Sequence, residues 1–404
     1  MIYTILEWGC TIIALAAFLY RLVTIPGSRF EPAITALCVY FFGSFFSFFV
    51  GLDLISPYVA RVFGYHNVTI ILSHGAVIIL TAAQLVVLTY WAYPAEVARR
   101  RARQTIYAFA AVLAVLVTVF LVSLPMERHG TSETSSLLNL HNGTYAAYLV
   151  AVTTVIALGQ VITVRVSWGF SRVTASPWLR RSMWMVAAGA VLILVYSAMR
   201  ITEVVCVQLG VDIAAWDPVQ WLAGDVGSLL ELLGWTAPGW GPSLTTAARW
   251  LGNYRRYHQL RPLWTALHRA TPDIALAQPP APLGELRLMD LNYRLYRRVI
   301  EILDGQRALR PYIDLRVYDA IRRSALTGGT GSVEPLTEAL CLHAGLRAKA
   351  RGYPVLTDPA VPVAVFHPED LAGETARLAA VAREFRRSRG LAESLPIEQA
   401  HPAQ

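Results

Sequence analysis

The chain has 404 residues, 55% of them hydrophobic and only 15% charged, with a formal net charge of +8 and a mean hydropathy of +0.44. Soluble globular chains carry about 25% charged residues, so this balance excludes a water-soluble protein over its whole length. The basic character does not point to nucleic acid: 34 of the 35 basic residues are arginines, Lys349 being the exception, and cytoplasmic segments of membrane proteins are basic because of how they are oriented.

Charge divides the chain. Residues 1–245 hold 13 basic and 11 acidic residues, and the shorter remainder holds 22 and 16. Within the first part, apolar runs long enough to cross a bilayer, about 20 residues, predict spans over 3–22, 31–51, 67–92, 105–124, 143–164, 182–206 and 219–241. The seventh is the weakest, with two acids and a Pro-Gly break at Pro238-Gly239. The N-terminus lacks a basic region and a small-residue cleavage site, so the first span is expected to remain as a helix rather than a signal. Loop charges set the orientation. Arg21 and Arg29, then Arg99, Arg100, Arg101 and Arg103 in the third loop, then Arg165, Arg172, Arg180 and Arg181 mark three cytoplasmic connections. The alternate connections, with Asp53 and Arg61, with Glu127, Arg128 and Glu133, and with Asp212 and Asp217, face outward. Seven spans then place the N-terminus outside and Arg249, Arg255, Arg256 and Arg261 in the cytoplasm.

Ionisable residues inside spans are costly and mark functional candidates. Here they are Glu7, His74, Arg200, Glu203, Asp225 and Glu231. Span direction puts all but Glu231 in the outer half, with Glu231 nearer the middle. Arg200 and Glu203 are three apart and share a helix face. Two readings follow: an outward-facing polar pocket between spans one, three, six and seven that binds a ligand, protons or a cation, or a structural ion-pair network. In the inner half the main polar residues are Gln84 and Gln160. His66, His74, His129 and His141 lie toward the outer side without metal spacing, and Cys10, Cys38, Cys206 and Cys341 form no metal pair and no disulfide framework. The run Phe41–Val50 reads as a packing or lipid face.

From residue 246 the pattern is helical with breaks. One helix is predicted over 244–270, interrupted near Pro262, and a proline-rich turn follows. An amphipathic segment then carries Leu288, Leu291, Leu295, Val299 and Ile302 at helical spacing. Asp290 with Arg294 and Arg297 with Glu301 read as pairs on a solvated face. Further helices are expected over 312–326, 333–350 and 368–388, with a flexible Gly328–Gly331 turn and a disordered tail over 391–404. No nucleophile elbow, kinase signature, zinc motif or phosphate loop is present, so no catalytic residue, cofactor or metal is assigned.

The spacing Leu263-Trp264-Thr265-Ala266-Leu267-His268-Arg269-Ala270-Thr271-Pro272, then Tyr296-Arg297-Arg298-Val299-Ile300-Glu301-Ile302-Leu303-Asp304-Gly305, then Leu309-Arg310-Pro311-Tyr312 is similar to a family of actinobacterial seven-span membrane proteins. Those proteins are labelled transporters without an assigned activity and end in a domain of unknown function. The resemblance implies topology and architecture but no catalytic residue.

The expected fold is all-α: a polytopic transmembrane helical bundle of about seven spans over 1–245, then a helical cytoplasmic domain over 246–390. The expected place is the plasma (inner) membrane of the cell, multi-pass, with the lipid bilayer as partner and a cytoplasmic protein engaging 246–390. Two roles compete. One is a sensor or signalling scaffold that relays an outer binding event to the C-terminal helices. The other is a transporter or its membrane subunit, which needs a polar path through the inner half as well. An intramembrane enzyme is a third reading.

Overall fold

The computed structural model describes residues 2–24, 31–65, 67–122, 139–211, 214–274, 290–313, 318–323, 333–353 and 370–394. His66, His129, Arg29, Glu127, Arg128, Glu133, Asp212, the Gly328–Gly331 turn and the tail beyond Ser394 lie outside the described residues. Among the described residues every regular element is helical.

The chain divides into two compact units, Met1–Ser243 and Leu244–Gln404. In the first, six helices are long and apolar enough to cross a membrane: α1 (Ile2–Thr24), α2 (Pro32–Gly51), α4 (Val68–Ala92), α5 (Ala95–Val122), α6 (Gly143–Val173) and α7 (Pro177–Gln208). A short helix not foreseen, α3 (Ser56–Phe63), lies between α2 and α4 and stops at Gly64, which takes a left-handed φ of 66°. The spans begin where local chemistry permits. Pro32 and Pro177 occupy first-turn positions that need no N–H. Asn142 Oδ1 accepts from the N–H groups of Thr144 and Tyr145 at 3.0 and 3.2 Å, capping α6.

Two expectations are corrected. Arg99, Arg100, Arg101 and Arg103 stand in the opening turns of α5, not in a loop, because arginine is a good helix former. The proline breaks are also absent. Residues 219–241 are the first part of one continuous helix, α8 (Asp217–Ala270), which passes through Pro238, Pro242 and Pro262. Among the described helices α8 is not one of the six apolar enough to cross on composition, since Asp225 and Glu231 lower its hydropathy. Pro238 leaves the carbonyl of Gly234, four residues earlier, without its helical donor. The Ser182 hydroxyl on α7 fills that role at 2.6 Å, the kind of side-chain repair that lets proline persist in membrane helices.

Lipid tails offer helices no hydrophobic incentive to associate, so close packing holds such a bundle together. A Cβ added to Gly189 on α7 would lie 2.5 Å from the Gly227 carbonyl on α8, so only glycine permits this approach. Around it Cys10, Phe41, Val87, Met183, Leu232 and Trp235 form one buried cluster. Ile78, Phe120, Tyr145, Tyr148 and Leu149 form a second.

The second unit comprises the last part of α8, α9 (Leu291–Leu309), a helical stretch at 318–323, α10 (Val333–Ala350), α11 (Leu371–Arg387) and α12 (Arg389–Ser394). Helix α12 occupies the first residues of the stretch expected as a tail and buries Ala392. This unit has a conventional apolar core. Tyr257, Leu260 and Leu263 of α8 pack with Val299 and Ile302 of α9 and Val381 of α11. Each fully buried leucine or valine there stabilises by roughly 1.5–3 kcal/mol.

His343 on α10 stacks on Phe385 at 3.9 Å between ring centroids, and its Nε2–H donates to the Phe385 carbonyl at 2.8 Å. Burial depresses its pKa; Arg347 and Arg389 add to this, while the Phe385 carbonyl and Glu393 oppose it. A histidine with a lowered folded pKa contributes stability that is present above its unfolded pKa, near 6.5, and lost as pH falls through the folded value. The unfolding midpoint of the second unit in the full chain is therefore expected to fall below about pH 6.5. His343→Gln should flatten that fall, read by amide exchange across α10 and α11; an unchanged pH profile would exclude His343 as its source.

Candidate functional site

Within the first unit lies a cavity of about 200 Å³, lined by residues of α1, α2, α4, α6, α7 and α8. It follows α8 from Trp221 to Leu232, eleven residues or roughly 16 Å at helical rise. Five of the six candidates line it: Glu7, His74, Arg200, Asp225 and Glu231. Glu203 is held just behind the wall, where its Oε2 accepts from Arg200 Nη1 at 2.9 Å and Gln220 Nε2 at 3.2 Å. Spans two and five, absent from the expected pocket, also supply walls through Tyr40 and Gln160.

The two ends differ. At one, Arg200 and Glu203 are 2% and 3% exposed, and the guanidinium stands 5.4 Å from the Trp221 ring centroid. His74 Nδ1 lies 3.0 Å from the Tyr148 hydroxyl. Arg200, which lines the cavity, is thus paired with an acid that does not. At the other end Glu231 is 1% exposed. It accepts from Gln84 Nε2 at 3.1 Å and from the Tyr40 hydroxyl at 3.4 Å, with Gln160 beside it. All three are neutral donors, and no described residue forms an ion pair with Glu231. A buried carboxyl served only by neutral donors is a seat for a cation or a proton, because an isolated buried charge is costly.

An aromatic layer closes this deep end. Trp235 lies 5.9 Å from Tyr40 and 5.6 Å from Trp91, and Trp91 lies 6.2 Å from Phe170. Next to it a line of buried polar groups continues: Gln84 donates to Thr163 at 3.2 Å, and Ser167 and Ser171 follow on the same face of α6. The Gln84 Oε1, Gln160 Oε1, Ser167 Oγ and Trp235 Nε1 atoms are buried without a hydrogen-bond partner among the described residues. Such atoms are commonly served by water.

The sequence assigned no site role to Tyr40, Thr163, Ser167 or Gln220, and Trp221 read only as an interfacial aromatic at a span end. For Thr163, Ser167 and Ser171 the four-residue spacing is a usable signal. Tyr40 carries none in a phenylalanine-rich span. His141 and Asn142, at the start of α6, are both exposed, and neither lines the cavity. Among the described residues no group of three His, Cys, Asp or Glu is placed to hold a metal.

No curated protein and no solved structure matches the chain. Over residues 249–388 the chain is similar to a family of unknown function, DUF6545, so the second unit carries a domain of that kind beside a membrane-spanning helical unit.

Proposed function

We propose that this protein is a seven-helix membrane sensor for a small cationic ligand, with α8 completing the bundle as its seventh span, the N-terminus outside and the second unit in the cytoplasm. One observation carries the proposal. Asp225 and Glu231, two of the acids lining the cavity, stand on the same unbroken helix that supplies Tyr257, Leu260, Leu263 and Leu267 to the core of the second unit. Binding that shifts or stiffens α8 has one unbroken helix along which to act. The acidic lining and the cation-free Glu231 favour an ammonium-type ligand, and about 200 Å³ suits a small one.

The test uses the full chain in nanodiscs, titrated with ammonium, methylammonium and tetramethylammonium. One of them should bind saturably and slow amide exchange at 257–267. Glu231→Gln should weaken that binding about tenfold or more, the effect of losing one charge-assisted contact (about 1.5–3 kcal/mol). Binding that Glu231→Gln leaves unchanged would sink the reading.

A second reading, transport, is favoured by the buried polar line from Gln84 through Thr163 to Ser171 alongside the aromatic layer, and by the transporter label on the actinobacterial family that the sequence resembles. Uptake of the same amines into proteoliposomes, abolished by Glu231→Gln, would replace the sensor reading with this one.

A further inference from the structure

A second and larger cavity, about 980 Å³, opens among α2, α4 and α5. It shares no lining residue with the polar cavity; its own walls include Val39, Ile79, Ala82, Val86, Phe109 and Leu113. One end carries Arg99, Arg100 and Arg103, all exposed, with Glu96 as the acid on the same rim. None of the three arginines forms an ion pair or hydrogen bond with a described residue, although Glu96 stands three and four positions away from two of them. By contrast Arg101, outside this lining, is seated 4.0 Å over the Tyr93 ring.

The dimensions fit a leaflet. From Arg103 to Leu113 the α5 wall runs ten residues, roughly 15 Å, which is half of a hydrocarbon core of about 30 Å. An apolar trough of that depth under three exposed cations that form no ion pair with a described residue matches a molecule with an anionic head and a hydrocarbon tail. Basic pockets between membrane helices are known to take anionic lipid head groups.

We propose that this groove is a binding site for one anionic phospholipid, its phosphate on Arg99, Arg100 and Arg103 and an acyl chain lying between α4 and α5 toward Leu113. Charge complementarity selects an anionic lipid over a zwitterionic one. The exposed Ala110 on the groove wall is where a larger side chain would displace the tail.

The test is native mass spectrometry of the full chain from detergent supplemented with phosphatidylglycerol or phosphatidylcholine, backed by thermal unfolding in nanodiscs of each lipid. Phosphatidylglycerol should be retained preferentially and raise the unfolding temperature. Near an anionic surface each arginine is worth about five-fold, so the triple change R99Q/R100Q/R103Q should cut retention on the order of a hundred-fold. Ala110→Trp should displace the lipid while keeping the arginines. The control R180Q/R181Q, at another basic helix end, should do neither. Equal retention of both lipids, equal loss in the control, or a dimer of this chain in place of bound lipid would overturn the proposal.

Discussion

Arg200→Ala is expected to lower the stability of the first unit by about 3–5 kcal/mol, the cost of breaking a buried ion pair from one side. Glu203 is 3% exposed and would keep only the Gln220 amide as a donor. Glu203→Ala removes a carboxylate paired with Arg200, whose guanidinium also lies against Trp221. The double variant R200A/E203A removes both charges and should recover at least half of either loss, since the desolvation cost disappears with the pair. Unfolding of the full chain in nanodiscs, read by temperature and by amide exchange across α7, decides this. Single variants as stable as the parent would mean that water reaches the pair and that it does not fix helix packing. A folded Arg200→Ala chain that no longer binds amines would instead place the guanidinium in the ligand chemistry. The two readings of this residue are separated by which property changes first.

The readings that succeeded rested on free energies large enough to override context. A run of 20 apolar residues has one inexpensive environment, so six spans were legible. An ion inside such a run needs a polar neighbourhood, which is why Glu7, His74, Arg200, Glu203, Asp225 and Glu231 stood out as a group; all but Glu203 line one cavity. The failures concern quantities set by a partner helix. A mid-helix proline costs about 3 kcal/mol in isolation, which argued for a break at Pro238; the Ser182 hydroxyl that offsets part of this lies 52 residues away in sequence. Tyr40 looked like one more ring in an aromatic span, because its hydroxyl partner is 191 residues distant. On α9 Arg297 and Glu301 pair as their spacing predicts, but Glu301 is buried and not on a solvated face. Arg298 falls in register with Leu291, Leu295 and Ile302, on the face that packs inward. That register was visible in the sequence and argued for a buried arginine.

Arg298→Ala should therefore loosen the second unit far more than removal of a surface charge, by about 3 kcal/mol or more. The residue is 4% exposed. Its guanidinium donates to the Tyr257 carbonyl at 2.9 Å and the Tyr257 hydroxyl at 2.8 Å, and lies 3.6 Å over the Tyr257 ring and 4.9 Å from the Trp264 ring. A desolvated cation–π contact contributes about 2 kcal/mol, and hydrogen bonds from a charged donor about 1.5–3 kcal/mol each, with truncation adding a void. Beside it Glu301 accepts from Trp264 Nε1 at 2.6 Å and Arg297 Nε at 2.8 Å, so the tail of α8 is fastened to α9 by two adjoining polar clasps. Arg298→Met keeps the stem volume and should restore the packing part of the loss but not the charge-dependent part. Amide exchange across α8 and α9 in the full chain measures both. If exchange in Arg298→Ala matches that of the parent, the clasp carries no stability and the apolar core alone holds the two helices. The functional consequence is separable from this. In a sensor, an α8 tail released from α9 should leave amine affinity intact while the exchange response at 257–267 is lost, because the ligand contacts at Asp225 and Glu231 are untouched and only the receiving end of the helix has been freed.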